Sequence, residues 1–146
     1  MKPEYRALRL AQLSTAIDNF KGAKSTPRPS HGWLRAVRQA LGISQQQVAD
    51  AVGIKRPSLI DFEKSEAADR ISLHNLRRIA EAMGCELVYA IVPKSGSIQE
   101  LAESRARAEA TKRVLSVHRT MALEDQASGD VKDLIDKETK RITKKP

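Results

Sequence analysis

Apolar positions from residue 33 to residue 83 recur at helical spacing, and glycines divide them into short segments. Trp33, Leu34, Val37 and Leu41 mark one face of a helix that stops at Gly42. Val48, Ala49 and Val52 mark a second, over 44–52, with Ser44 as N-cap and Gln47 three residues on in a capping-box pattern. Gly53 supplies the left-handed residue of a tight turn. A third helix starts near Lys55, with Pro57 in its first turn, where a missing N–H costs nothing. Leu59 and Phe62 face inward, leaving Lys55, Arg56, Ser58, Ile60 and Asp61 facing outward. The polar stretch 64–70 reads as a loop. Ser72 then caps a fourth helix, with Leu73, Leu76, Ile79, Ala80 and Met83 inward and Gly84 at its end.

The flanks read differently. Residues 3–20 pattern as an amphipathic helix with Leu10, Leu13, Ile17 and Phe20 on one stripe. Residues 21–31 form an irregular Pro- and Ser-containing linker; Lys21, Lys24 and Arg28 suit contact with phosphates or entry into a minor groove, and a simple flexible linker is the alternative. Beyond Gly84, residues 86–92 are apolar and β-branched and close at Pro93, which predicts a strand, with Cys85 buried at the helix–strand junction. A lone strand leaves its N–H and C=O groups without partners, so pairing with its own copy across a two-fold axis is expected through Leu87, Val88, Tyr89, Ala90, Ile91 and Val92. Ser97 and Glu100 form a second capping box, opening an Ala-rich charged helix through about Val117 whose apolar content is too thin for much core packing. Gly129 breaks the chain, and Asp130 caps a short helix bearing Val131, Leu134 and Ile135. Three parts follow: 1–31, an N-terminal helix and basic linker; 32–93, a helix-turn-helix domain with its strand; and 94–146, a helical extension that holds a partner.

Charge sharpens this picture. The 146 residues carry net charge +8, which favours an anionic partner. The excess lies mainly in the flanks, so within the central domain placement matters more than total. Arg28, Arg35, Arg38, Lys55 and Arg56 fall in 28–56 against the single acid Asp50, a plausible footprint for double-stranded DNA. A short helix with a basic, polar N-terminal face is what the major groove accepts.

Residues 34–63, LRAVRQALGISQQQVADAVGIKRPSLIDFE, resemble the Xre/Cro-C1 family of helix-turn-helix domains. The resemblance implies a mainly α, lambda-repressor-like bundle, here with one C-terminal dimerisation strand and helical extensions at both ends. It also implies that Gln45 anchors a phosphate, with Gln46 beside it, and that Lys55 to Ser58 read base edges. It further implies that Arg38 pairs with Glu63. Pro57 stands where a polar base reader is common and cannot hydrogen-bond a base, so Arg56 bears more of the reading. Ile60 either touches thymine methyls or packs locally. DNA contacts are thus expected from Gln45, Gln46, Lys55, Arg56, Pro57, Ser58, Ile60, Asp61 and Arg28, on a palindromic operator bound by a homodimer.

Over the whole chain, the Pro-containing linker before GWLRAVRQALG, the run CELVYAIVP and the segment HRTMALEDQ are similar to the mobile mystery protein A family. That family is encoded beside a protein with a Fic domain, a fold that commonly transfers AMP. The resemblance implies an antitoxin. Thr120 and Glu124 fit the TxxxE core of the inhibitory helix that restrains such enzymes, although Asp125 stands where Gly or Asn is usual. The alternatives are a helix-end acid at Glu124 and a stand-alone regulator of a mobile element.

Other classes are disfavoured. His31, His74 and His118 lack ligand spacing, no Gly-rich phosphate cradle is present, and neither an enzyme, a metal nor a cofactor is expected. With Cys85 as the single cysteine and no apolar run near ~20 residues, a cytoplasmic protein with no membrane partner is expected.

Overall fold

A computed structural model of the chain describes residues 2–123 and 130–144. Among these the regular structure is helical: α1 (Pro3–Asp18), α2 (Lys21–Lys24), α3 (Trp33–Ala40), α4 (Gln45–Val52), α5 (Arg56–Ala67), α6 (Leu73–Ala82), α7 (Ile98–Leu123) and α8 (Val131–Lys144). The chain divides into two compact units, one of residues 25–89 and one joining 1–24 to 90–146.

In the first unit α3 to α6 close around Leu34, Val48, Ala49, Leu59, Ile79 and Met83, with Val37, Val52, Phe62 and Leu76 packed against them. Ala49 and Leu59 are fully buried. A methyl group at Ala49 is what lets α4 approach α5 and α6 closely, and Leu59 fills the centre. Truncating Leu59 to Ala removes apolar contacts worth roughly 2–5 kcal/mol.

The second unit gathers α1, α7 and α8. Its core is small: Ala106 and Ala110, one turn apart on α7, lie against Ile142 and Ile135 of α8. Here the thin apolar content of α7 is an advantage. Alanines at i and i+4 let α8 approach the α7 backbone, and the ion pairs Arg107–Asp136 (2.7 Å) and Arg113–Glu138 (3.3 Å) flank the seam.

Several expectations are corrected. Residues 86–92 form no strand: their backbone joins no ladder among the described residues, and Val88, Tyr89 and Ile91 are exposed. β-branched content favours extended backbone, but a strand also needs a partner, which the described residues do not supply. Cys85 is exposed rather than buried. The 64–70 loop is shorter than expected, because α5 continues to Ala67 and buries Glu63 and Glu66 on its inner face. Leu73, at the open start of α6, is half exposed. The linker contains one helical turn, α2, where Lys21 pairs with Asp18 at 3.0 Å and the Lys24 ammonium donates to the Pro93 carbonyl at 3.0 Å. Both C-terminal helices are longer than expected, although their starts agree. Ser97 and Glu100 exchange two hydrogen bonds of 3.1 Å, and Asp130 accepts from the Lys132 N–H at 3.0 Å. The expected break at Gly129 lies outside the described residues.

Candidate nucleic-acid interface

The α4–turn–α5 unit is built from local signals. Ser44 Oγ accepts from the Gln47 N–H at 3.1 Å, and Gln47 Oε1 accepts from the Ser44 N–H at 2.8 Å, a complete capping box. Gly53 adopts φ 82°, the left-handed region that its missing Cβ permits, and its N–H closes α4 onto the Ala49 carbonyl at 2.9 Å. Lys55 is the N-cap of α5 and makes no side-chain cap bond; Pro57 sits in the first turn. Lys55, Arg56, Pro57, Ser58 and Asp61 are exposed around this helix start, while Ile60 is half-buried. Two cations at an exposed helix start, where the dipole is positive, suit a phosphate or base-edge acceptor.

A chain of polar contacts ties this surface to the core. Arg38 on α3 meets Glu63 on α5 through two hydrogen bonds, Nε to Oε1 at 2.5 Å and Nη2 to Oε2 at 3.2 Å, and donates to the Ile43 carbonyl at 3.3 Å. Both side chains are largely buried. Gln45, the first residue of α4, donates to Glu63 Oε2 at 3.5 Å, while its Oε1 accepts from Arg56 Nε and Nη2 at 3.3 and 3.2 Å. Arg38, Glu63, Gln45 and Arg56 therefore form a continuous path from buried to exposed. Gln46 is exposed and bonds Asp50 at 2.8 Å.

Arg28 lies elsewhere in this unit. Its guanidinium pairs with Asp69 and donates to the carbonyls of Glu66 and Ala67, both at 3.1 Å. It thus closes the C-terminal end of α5, where carbonyls lack helical partners and the dipole favours a cation. Of the five basic residues in 28–56, Arg28, Arg38 and Arg56 are engaged in contacts within the domain.

Glu66 is a feature the sequence reading missed. Its Oε1 accepts from the Trp33 N–H at 2.7 Å, capping an α3 whose N-cap, Gly32, has no side chain. Gly32 adopts φ 85°, and a Cβ there would lie 1.5 Å from Glu66 Oε2, so the glycine also makes room for the carboxylate. Burial pushes the Glu66 pKa above its ordinary value, against the Trp33 and Leu34 N–H groups and Arg28, which pull it down. The only sequence signal was a second acid three residues after Glu63, which reads as a solvated side chain unless the start of α3 is placed against it.

Outside this unit, Thr120 is exposed on α7 and its hydroxyl donates to the Ser116 carbonyl at 3.1 Å. Glu124 lies outside the described residues. Among the described residues no group of His, Cys, Asp and Glu side chains is arranged to hold a metal, and no helix is long and apolar enough to cross a membrane.

Residues 34–89 match the family model described as helix-turn-helix, so the chain contains an Xre-like helix-turn-helix domain. Domains of that class are typically DNA-binding regulators of transcription. No curated protein and no solved structure matches the chain.

Proposed function

We propose that this protein is an autoregulating, dimeric repressor that docks the start of α5 in the major groove, with Gln45 and Gln46 at the start of α4 against the backbone. Arg56 is its principal base reader, beside Lys55 and Ser58, with Ile60 and Pro57 shaping the contact and Asp61 at its edge. The observation that supports this most is the exposed α5 start joined through Gln45 to the buried Arg38–Glu63 pair, because a reader held by a rigid second layer is preorganised. Arg28 acts from the other end of the same helix. Dimerisation uses residues 87–92, whose exposed Val88, Tyr89 and Ile91 are costly to leave in water. The C-terminal helices hold a Fic-type partner, a reading supported by the whole-chain resemblance and by the charged α7–α8 surface.

Gel shifts on the chain's own upstream DNA test the core of this reading: a discrete, competitor-resistant complex is expected, and salt-sensitive binding without sequence preference would refute it. Sedimentation of Ile91→Arg tests the dimer, which should become monomeric. Co-expression with a neighbouring Fic protein tests the antitoxin role. Glu124→Arg should release AMP transfer, and unchanged suppression would leave a stand-alone regulator.

A further inference from the structure

A cavity of about 260 Å³ opens in the first unit between α3, α6 and residues 85–88. Its walls are apolar, formed by Val37, Leu76, Met83 and Leu87, with Trp33 half exposed among the lining residues. Glu66 also lines it. That side chain is only 4% exposed, and while its Oε1 is held by the Trp33 N–H, its Oε2 is a buried oxygen with no hydrogen-bond partner. Glu86 adds a second carboxylate to the lining, and no Lys, Arg or His side chain is among the lining residues. Nearby, Arg28 is already engaged by Asp69 and two carbonyls, and Glu63 by Arg38. An apolar chamber with two carboxylates and no cationic side chain in its lining selects a ligand of the complementary charge.

We propose that this cavity binds a small primary ammonium compound with an apolar body, its –NH3⁺ donating to Glu66 and its body packed among Val37, Leu76 and Met83. A buried carboxylate oxygen without a donor is costly, and an ammonium supplies three donors and the opposite charge. At about 30 Å³ per water-sized group, the chamber has room for roughly nine non-hydrogen atoms. Trp33 can cover such a cation with its ring face. The same chemistry excludes carboxylates of equal size, which would meet Glu66 and Glu86. The site is separate from the start of α5, so it stands or falls independently of DNA binding.

Trp33 is the single tryptophan of the chain, so its fluorescence reports on this cavity directly. Titrating the full-length protein with 2-phenylethylamine should give a saturable change. 2-Phenylethanol should bind at least about tenfold more weakly, and phenylacetate not at all. Glu66→Gln keeps an acceptor for the Trp33 N–H, and it should lower 2-phenylethylamine affinity about tenfold while leaving 2-phenylethanol unchanged. Ala80→Met, which fills the chamber from α6, should abolish both signals, with thermal melts confirming that each variant is folded. Equal affinity for the amine, alcohol and acid overturns the proposal, as does an amine affinity indifferent to Glu66→Gln. A response seen only when a dimer dissociates in sedimentation also overturns it, since a second copy would then fill the chamber.

Discussion

Gln45 and Arg56, the first residues of α4 and α5, are bonded to one another: Gln45 Oε1 accepts from Arg56 Nε at 3.3 Å and Nη2 at 3.2 Å. Two helix starts are thereby coupled, and the guanidinium is oriented before any ligand arrives. Arg56→Ala should relax operator preference by about 1–3 kcal/mol in competition gel shifts. Gln45→Ala should weaken binding too, and the double variant should lose clearly less than the two single losses combined. Strict additivity would show that the contact has no part in recognition.

The Arg38–Glu63 pair bears on stability. Arg38→Met leaves the Glu63 carboxylate buried without its cation and should cost about 3–5 kcal/mol in urea denaturation. Replacing both, as Arg38→Met with Glu63→Leu, should recover most of that loss, because the penalty comes from the orphaned charge. A single variant within error of the parent would contradict the burial seen here.

Arg28 offers a clean separation of roles. As the cap of α5 it should contribute about 1–2 kcal/mol, so Arg28→Ala should lower the melting temperature. If DNA affinity falls at unchanged stability and with a shallower salt dependence, its work is on phosphate instead.

Glu66 predicts a pH dependence. Its folded pKa is raised above 4.5, chiefly by burial, so the fold favours the protonated carboxyl. That contribution is fully present below about 4.5 and is lost as pH climbs through the raised value. Thermal melts should therefore show stability draining away across that window, and Glu66→Gln should flatten the profile. Arg28, Glu63 and Glu86 are the charged neighbours to hold constant.

Glu138 predicts the opposite slope in the other unit. Hydrogen bonds from Arg141, and then from Arg113, lower its pKa to about 2. Its contribution is present above 4.5 and is lost as pH falls toward 2. Circular dichroism of the full chain should show α7–α8 weakening over that range, and less so in Glu138→Gln.

How much was legible in the sequence depends on the range of each signal. Capping boxes are written at i and i+3, so Ser44–Gln47 and Ser97–Glu100 could be read directly. Gly53 and the first-turn Pro57 were equally plain, because each restricts its own backbone. The end of α5 was misjudged because Glu66 looks solvated until the start of α3 is placed against it. The expected strand at 86–92 failed for a related reason: propensity is local, whereas a ladder needs a second backbone.

The sequence by itself determined where the helices of the helix-turn-helix begin and turn, and which residues crowd the outward start of α5. Tertiary structure alone decided that Glu66 caps α3 across 33 residues, that Arg28 closes α5, and that Ala106 and Ala110 form a packing face. These contacts join residues far apart in the chain. Their free energy depends on how closely helices meet and on what is buried with them, which short-range spacing does not encode.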